Sequence, residues 1–142
     1  MESTFERKAF VPAAIPSRRL WAGRILSGIA VAFLSFDALG KLLKMAPVIE
    51  GTLELGYPES SIVPIGVLLA IGVVLYAIPR TSLLGAIYLA AYLGGAVATH
   101  VRVGSPLATH VLFPVYVAAF VWGGLALRNP RLLALLLGRQ PE

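Results

Sequence analysis

The chain has 142 residues, 58% of them hydrophobic and 13% charged, with a mean hydropathy of +0.83. Water-soluble domains carry about 25% charged residues, so a soluble globular fold is excluded and one small membrane domain accounts for nearly all of the sequence. The absence of cysteine removes thiol–disulfide exchange, thiolate nucleophiles and cysteine-ligated iron–sulfur clusters.

Residues 1–19 hold Arg7, Lys8, Arg18 and Arg19 together with Pro12 and Pro16. They show no periodicity and predict a flexible basic arm. A first span is expected over about 20–43, and it carries Arg24, Asp37 and Lys41. Its one Ala-x-Ala, at Ala30 and Ala32, lies inside the apolar stretch rather than beyond it, so the segment is expected to remain as an uncleaved anchor. Next, Pro47 stands where a first helical position favours proline and Gly56 where a helix ends. Between them Val48, Ile49, Leu53 and Leu55 alternate with Glu50 and Glu54, which predicts a short amphipathic helix on the outer membrane surface.

The runs 60–79, 81–101 and 103–127 contain no Asp, Glu, Lys or Arg. About 20 apolar residues, rising 1.5 Å each, cross a hydrocarbon core of about 30 Å, so three further spans are expected at about 60–78, 82–101 and 107–127. Pro79 and Arg80, with Thr81 or Ser82 as an N-cap, allow only a tight turn, which makes its two spans antiparallel neighbours. In the third span Ala90, Gly94 and Ala98 form one small-residue seam and Ala91, Gly95 and Thr99 another, both read as helix-packing surfaces. Asn129 and Pro130 open a last helix over 130–137, too short to cross and expected in the inner interface, before a tail at 138–142. The predicted fold is all-α: a transmembrane four-helix bundle over 20–137 with a short outer-surface amphipathic helix and an interfacial C-terminal helix.

An even number of spans leaves both termini on one side. That side would hold nine of the twelve basic residues, Arg7, Lys8, Arg18, Arg19, Arg24, Arg80, Arg128, Arg131 and Arg139; the other has Lys41, Lys44 and Arg102 beside Glu50, Glu54 and Glu59. The positive-inside rule therefore predicts a multi-pass protein of a bacterial-type cytoplasmic (inner) membrane with both ends cytoplasmic. The net charge of +5 has no long basic run, which makes the lipid bilayer, with its anionic lipids, the expected partner and not nucleic acid.

Chemistry is sought where polar groups enter the apolar spans. Asp37, Lys41 and Lys44 share one helix face, with the acid N-terminal to the base. A carboxylate in a membrane helix is costly unless paired or hydrated, and it marks a candidate site; simple neutralisation by Lys41 is the competing reading. His100, Arg102 and His110 cluster around the loop joining spans three and four, on the same predicted face as Asp37. They offer imidazoles that exchange protons near neutral pH and a planar donor for carbonyl or anionic oxygens. Two histidines ten residues apart without another nearby soft ligand match no standard metal spacing, so no metal is expected. Pro114 lacks the N–H that would reach the His110 carbonyl, which either exposes that carbonyl to a hydrated pocket or marks a first helical turn. Gly85, Tyr88, Tyr92, Gly95 and Thr99 share a stripe of span three. Such a stripe suits a flat amphipathic molecule, a quinone or an isoprenoid lipid, although interior tyrosines also serve as plain core.

The run from Tyr92 through Gly94, Gly95, His100 and Arg102, followed by His110 to Pro114, with Gly23-Arg24 opening span one and Leu55-Gly56-Tyr57-Pro58 before span two, resembles the DoxX-like family over about residues 20–137. The resemblance implies a four-helix membrane bundle and an association with membrane redox or quinone metabolism. The expected function is an accessory subunit, without activity of its own, that binds a lipophilic ligand, a quinone among the candidates, through Asp37, Lys41, Tyr88, Tyr92, His100, Arg102 and His110. A membrane oxidoreductase, another membrane protein or a second copy of the chain is the expected protein partner. The alternative is a non-catalytic assembly or scaffolding factor whose charges only fix topology.

Overall fold

A computed structural model describes residues 14–138, which are helical nearly throughout. Helix α1 covers Ser17–Leu42, α2 Ala46–Glu54, α3 Ile62–Ala77, α4 Ser82–Arg102, α5 Phe113–Arg128 and α6 Pro130–Leu136. A single 3₁₀ turn, Glu59–Ser61, leads into α3, and a π-helical turn, Leu107–Val111, leads into α5. With these turns included, four helices are long and apolar enough to cross a membrane. Only 28–39% of the apolar window of each is buried inside the protein, so most of its surface has to be covered by hydrocarbon. Large apolar side chains such as Ile25, Phe36, Val74 and Leu84 accordingly stand on the outside.

Helix α1 begins at Ser17, inside the segment 1–19 expected as a basic arm; the rest of that segment up to residue 13, and the tail 139–142, lie outside the described residues. Helix α2 takes the place of the predicted amphipathic segment, with a proline in its first turn, and α6 that of the predicted C-terminal helix. Asn129 caps α6 by accepting from the N–H groups of Arg131 and Leu132. Thr81 occupies the N-cap position of α4, but its hydroxyl donates to the Leu75 carbonyl at 2.7 Å and thereby seals the end of α3 instead.

The spanning helices form a ring in which α1 packs on α3 and α5, and α4 packs on α3 and α5. In the half nearest the chain termini this packing is close. A Cβ on Gly85 would run into the backbone of Tyr76, and one on Gly23 would stand 2.9 Å from the Gly124 carbonyl oxygen, so α3 meets α4 and α1 meets α5 almost backbone to backbone. Across this half the buried Tyr76 hydroxyl donates to the Val121 carbonyl at 2.7 Å and accepts from Ser27 at 2.8 Å, tying α3 to α5 and α1. Leu34, Leu69, Leu89 and Val121 fill the centre.

In the opposite half, called the distal end below, α1 and α3 still meet closely, since a Cβ on Gly66 would stand 2.7 Å from the Lys41 Cβ, but the side formed by α4 is open. The small-residue seams predicted for α4 do not pack here: a Cβ on Gly94 or Gly95 would meet nothing within 4 Å, and both residues are exposed. The close-packing glycine of α4 is Gly85, two to three turns earlier. Three distal helix ends are closed by the same pair of backbone bonds, in which residues after Leu43, Leu55 and Val103 turn back through left-handed positions at Lys44, Gly56 and Gly104.

A candidate amphiphile site at the distal end

The distal half holds two adjoining, half-open cavities. The inner one, of about 500 Å³, lies among all four spanning helices and is walled mainly by apolar groups, including Phe33, Leu34, Leu68, Tyr92 and Val117. The outer one, of about 620 Å³, is richer in polar groups and lies beneath α2, with Glu54, Ser105 and His110 in its wall. Asp37, Lys41, Thr52, Leu55 and His100 line both. They form the shared wall between an apolar and a polar space.

Each polar group at that wall has a local structural cause. Asp37 and Lys41, one helical turn apart on α1, form an ion pair, with 34% and 15% of their side chains exposed. Thr52 lies buried in α2 and donates to the Val48 carbonyl at 2.7 Å, which satisfies its hydroxyl within the helix. His100, in the last turn of α4, holds Ser105 through its Nδ1 at 3.0 Å, while the His100 carbonyl accepts the Ser105 N–H, also at 3.0 Å. His110 pairs its Nδ1 with the Thr109 hydroxyl at 2.8 Å. The two imidazole rings meet edge to face, 5.7 Å between centres, and each keeps Nε2 for another partner.

Tyr92 completes the set. Tyr57 donates to Thr99, which donates on to the Gly95 carbonyl, and Tyr76 is held as described above. The Tyr92 hydroxyl, half-buried in the wall of the inner cavity, has no hydrogen-bond partner among the described residues. An unpaired phenol beside an apolar space is a donor waiting for a carbonyl or hydroxyl oxygen.

Of the residues predicted from sequence, the structure brings Asp37, Lys41, Tyr92, His100 and His110 to the two cavities. Tyr88 lies a turn deeper, with its ring against Gly72 of α3, outside both linings. Arg102 also stands outside them: its guanidinium donates to the Leu55 carbonyl and lies 6.0 Å from the Tyr57 ring, so it fastens the segment after α2 to the end of α4. Pro114 falls in the first turn of α5, where no N–H bond is forfeited, because the π-helical turn ends the preceding helix at Val111. Thr52, Tyr57 and the edge-to-face pair Phe33 and Phe113, 5.5 Å apart, are lining residues that sequence reasoning missed. Nothing in their local spacing distinguishes them from ordinary loop and core positions.

Four membrane-length helices in a ring, capped at one end by an amphipathic helix over a cavity, define a small multi-pass membrane bundle. Residues 25–124 match the DoxX-like family, and the chain belongs to it. Comparison with curated proteins and with solved structures gives no match.

Proposed function

We propose that the protein binds an uncharged amphipathic lipid whose carbonyl- or hydroxyl-bearing head sits at the shared wall and whose tail occupies the inner cavity. An isoprenoid quinone is the prototype of that chemistry. The observation that carries this reading is the juxtaposition of an apolar and a polar cavity across Asp37, Lys41, Thr52, Leu55 and His100. A volume of about 500 Å³ falls within the range of about 300–1,000 Å³ usual for small-molecule sites. Charge argues for a neutral head. Lys41 is already neutralised by Asp37, and Glu54 adds a second carboxylate to the polar side, so a phosphate head would meet net negative charge. Tyr92, Lys41 and the imidazoles supply donors for a carbonyl.

In this reading the protein is an accessory subunit in a bacterial-type inner membrane, with both termini cytoplasmic, presenting its lipid to a membrane oxidoreductase. Purification in mild detergent, followed by extraction and mass spectrometry, is expected to recover a neutral isoprenoid or quinone-type lipid in reproducible stoichiometry. Reproducible absence of any such molecule would leave the chain as an assembly or scaffolding factor and overturn the proposal.

A further inference from the structure

The end of the bundle opposite the cavities carries a second, chemically different feature. Every acidic side chain among the described residues, Asp37, Glu50, Glu54 and Glu59, belongs to the distal half or its loops. The terminal end has Arg18, Arg19, Arg24, Arg80, Arg128 and Arg131 and, among the described residues, no carboxylate.

Two of these arginines, one on α1 and one on α5, reach backbone carbonyls near the end of α5. Arg19 of α1 donates from Nη2 to the Ala126 carbonyl at 3.3 Å, and Arg128 of α5 donates from Nε to the Gly124 carbonyl at 3.2 Å. The Arg128 stem lies over Gly23, where a Cβ would stand 2.7 Å from it, and its guanidinium is 5.9 Å from the Tyr76 ring. Capping the last carbonyls of α5 is a sound structural role for both side chains. It uses one donor of the five on each guanidinium. The Nε of Arg19 is buried with no hydrogen-bond partner among the described residues. An unsatisfied buried donor costs free energy, and four further N–H groups on each guanidinium remain for other acceptors. An anion with several acceptor oxygens answers these donors from both helices.

We propose that Arg19 and Arg128 form a phosphate site between α1 and α5, occupied by the headgroup of an acidic phospholipid. Guanidinium forks match phosphate oxygens two at a time, and basic pockets between membrane helices are suited to anionic headgroups. The level in the membrane fits a lipid source. Trp21, 59% exposed and 5.5 Å from the Arg24 guanidinium, sits one turn away as an interfacial anchor.

The test uses the full chain in nanodiscs of phosphatidylcholine alone, of phosphatidylcholine with phosphatidylglycerol, and of phosphatidylcholine with inorganic phosphate in the buffer. Phosphatidylglycerol is expected to raise the unfolding midpoint by several degrees and to be retained in native mass spectrometry over phosphatidylcholine. Arg19→Gln with Arg128→Gln should erase both effects, Arg128→Lys should weaken retention about tenfold by removing the fork while keeping the charge, and Arg80→Gln should leave both unchanged. Equal stabilisation by inorganic phosphate overturns the lipid as occupant. Failure of phosphatidylglycerol to be retained preferentially, or equal retention by the parent and Arg128→Lys, overturns the site. None of these outcomes depends on what fills the distal cavities.

Discussion

The ion pair between Asp37 and Lys41 ranks between a surface and a buried bridge, since a third of the acid and about a seventh of the base remain exposed. Exposed pairs contribute under about 1 kcal/mol, whereas breaking a buried one costs about 3–5 kcal/mol. Asp37→Asn is therefore expected to destabilise the protein by about 1–3 kcal/mol in detergent, and adding Lys41→Met should restore part of that loss. Thermal unfolding of the two single variants and the double variant checks this; identical melting of all with the parent would make the pair a hydrated surface contact. His100→Ala removes a ring from the shared wall without opening the core, so it should cost less stability than Asp37→Asn while lowering lipid retention. Asp37, Lys41 and the histidines were legible in the sequence because charge inside an apolar run is conspicuous. Tyr92 was legible only as one tyrosine of a stripe. Its free hydroxyl, and the separate fates of Tyr88 and Arg102, depend on neighbours contributed by α3 and by the segment after α2.

At the level of elements, hydropathy made all four spans, the surface helix and the C-terminal helix readable, because each is a long run of one composition closed by proline, glycine or charge. What the sequence left ambiguous was which glycines let helices touch. Small-residue spacing marked Gly94 and Gly95, yet the contact falls on Gly85, because α4 meets the α3 backbone there and has open space beside Gly94 and Gly95. The two kinds of position should respond oppositely to a methyl group. Gly85→Ala drives a Cβ into the Tyr76 backbone and is expected to destabilise by about 1–3 kcal/mol or more. Gly94→Ala meets nothing and should stabilise by about 0.5–1 kcal/mol through helix propensity alone. Denaturation in a fixed detergent compares them, and a larger loss for Gly94→Ala than for Gly85→Ala would contradict the packing described.

For the molecule as a whole, closed packing at the terminal end and the open α4 side of the distal end divide the labour. The first half holds the ring together through Tyr76 and the glycine contacts, which frees the second to enclose space. The arginine placement predicts the proposed orientation, so reporter fusions after Gly104 and after Gly138 are expected to locate to opposite sides of the membrane, with Gly138 cytoplasmic; a common location would refute the four-span topology. The central claim, that the distal half is built to hold a neutral amphiphile, is tested most directly by filling it. Ala96 lines the inner cavity and is only partly covered, so Ala96→Phe places a ring in the space rather than in the core. Equilibrium binding of a short-chain isoprenoid benzoquinone to the purified parent and to Ala96→Phe is the decisive measurement. Saturable binding by the parent, lost in a variant that melts as the parent does, is the expected result; binding of equal affinity to both, or none to the parent, would contradict the account.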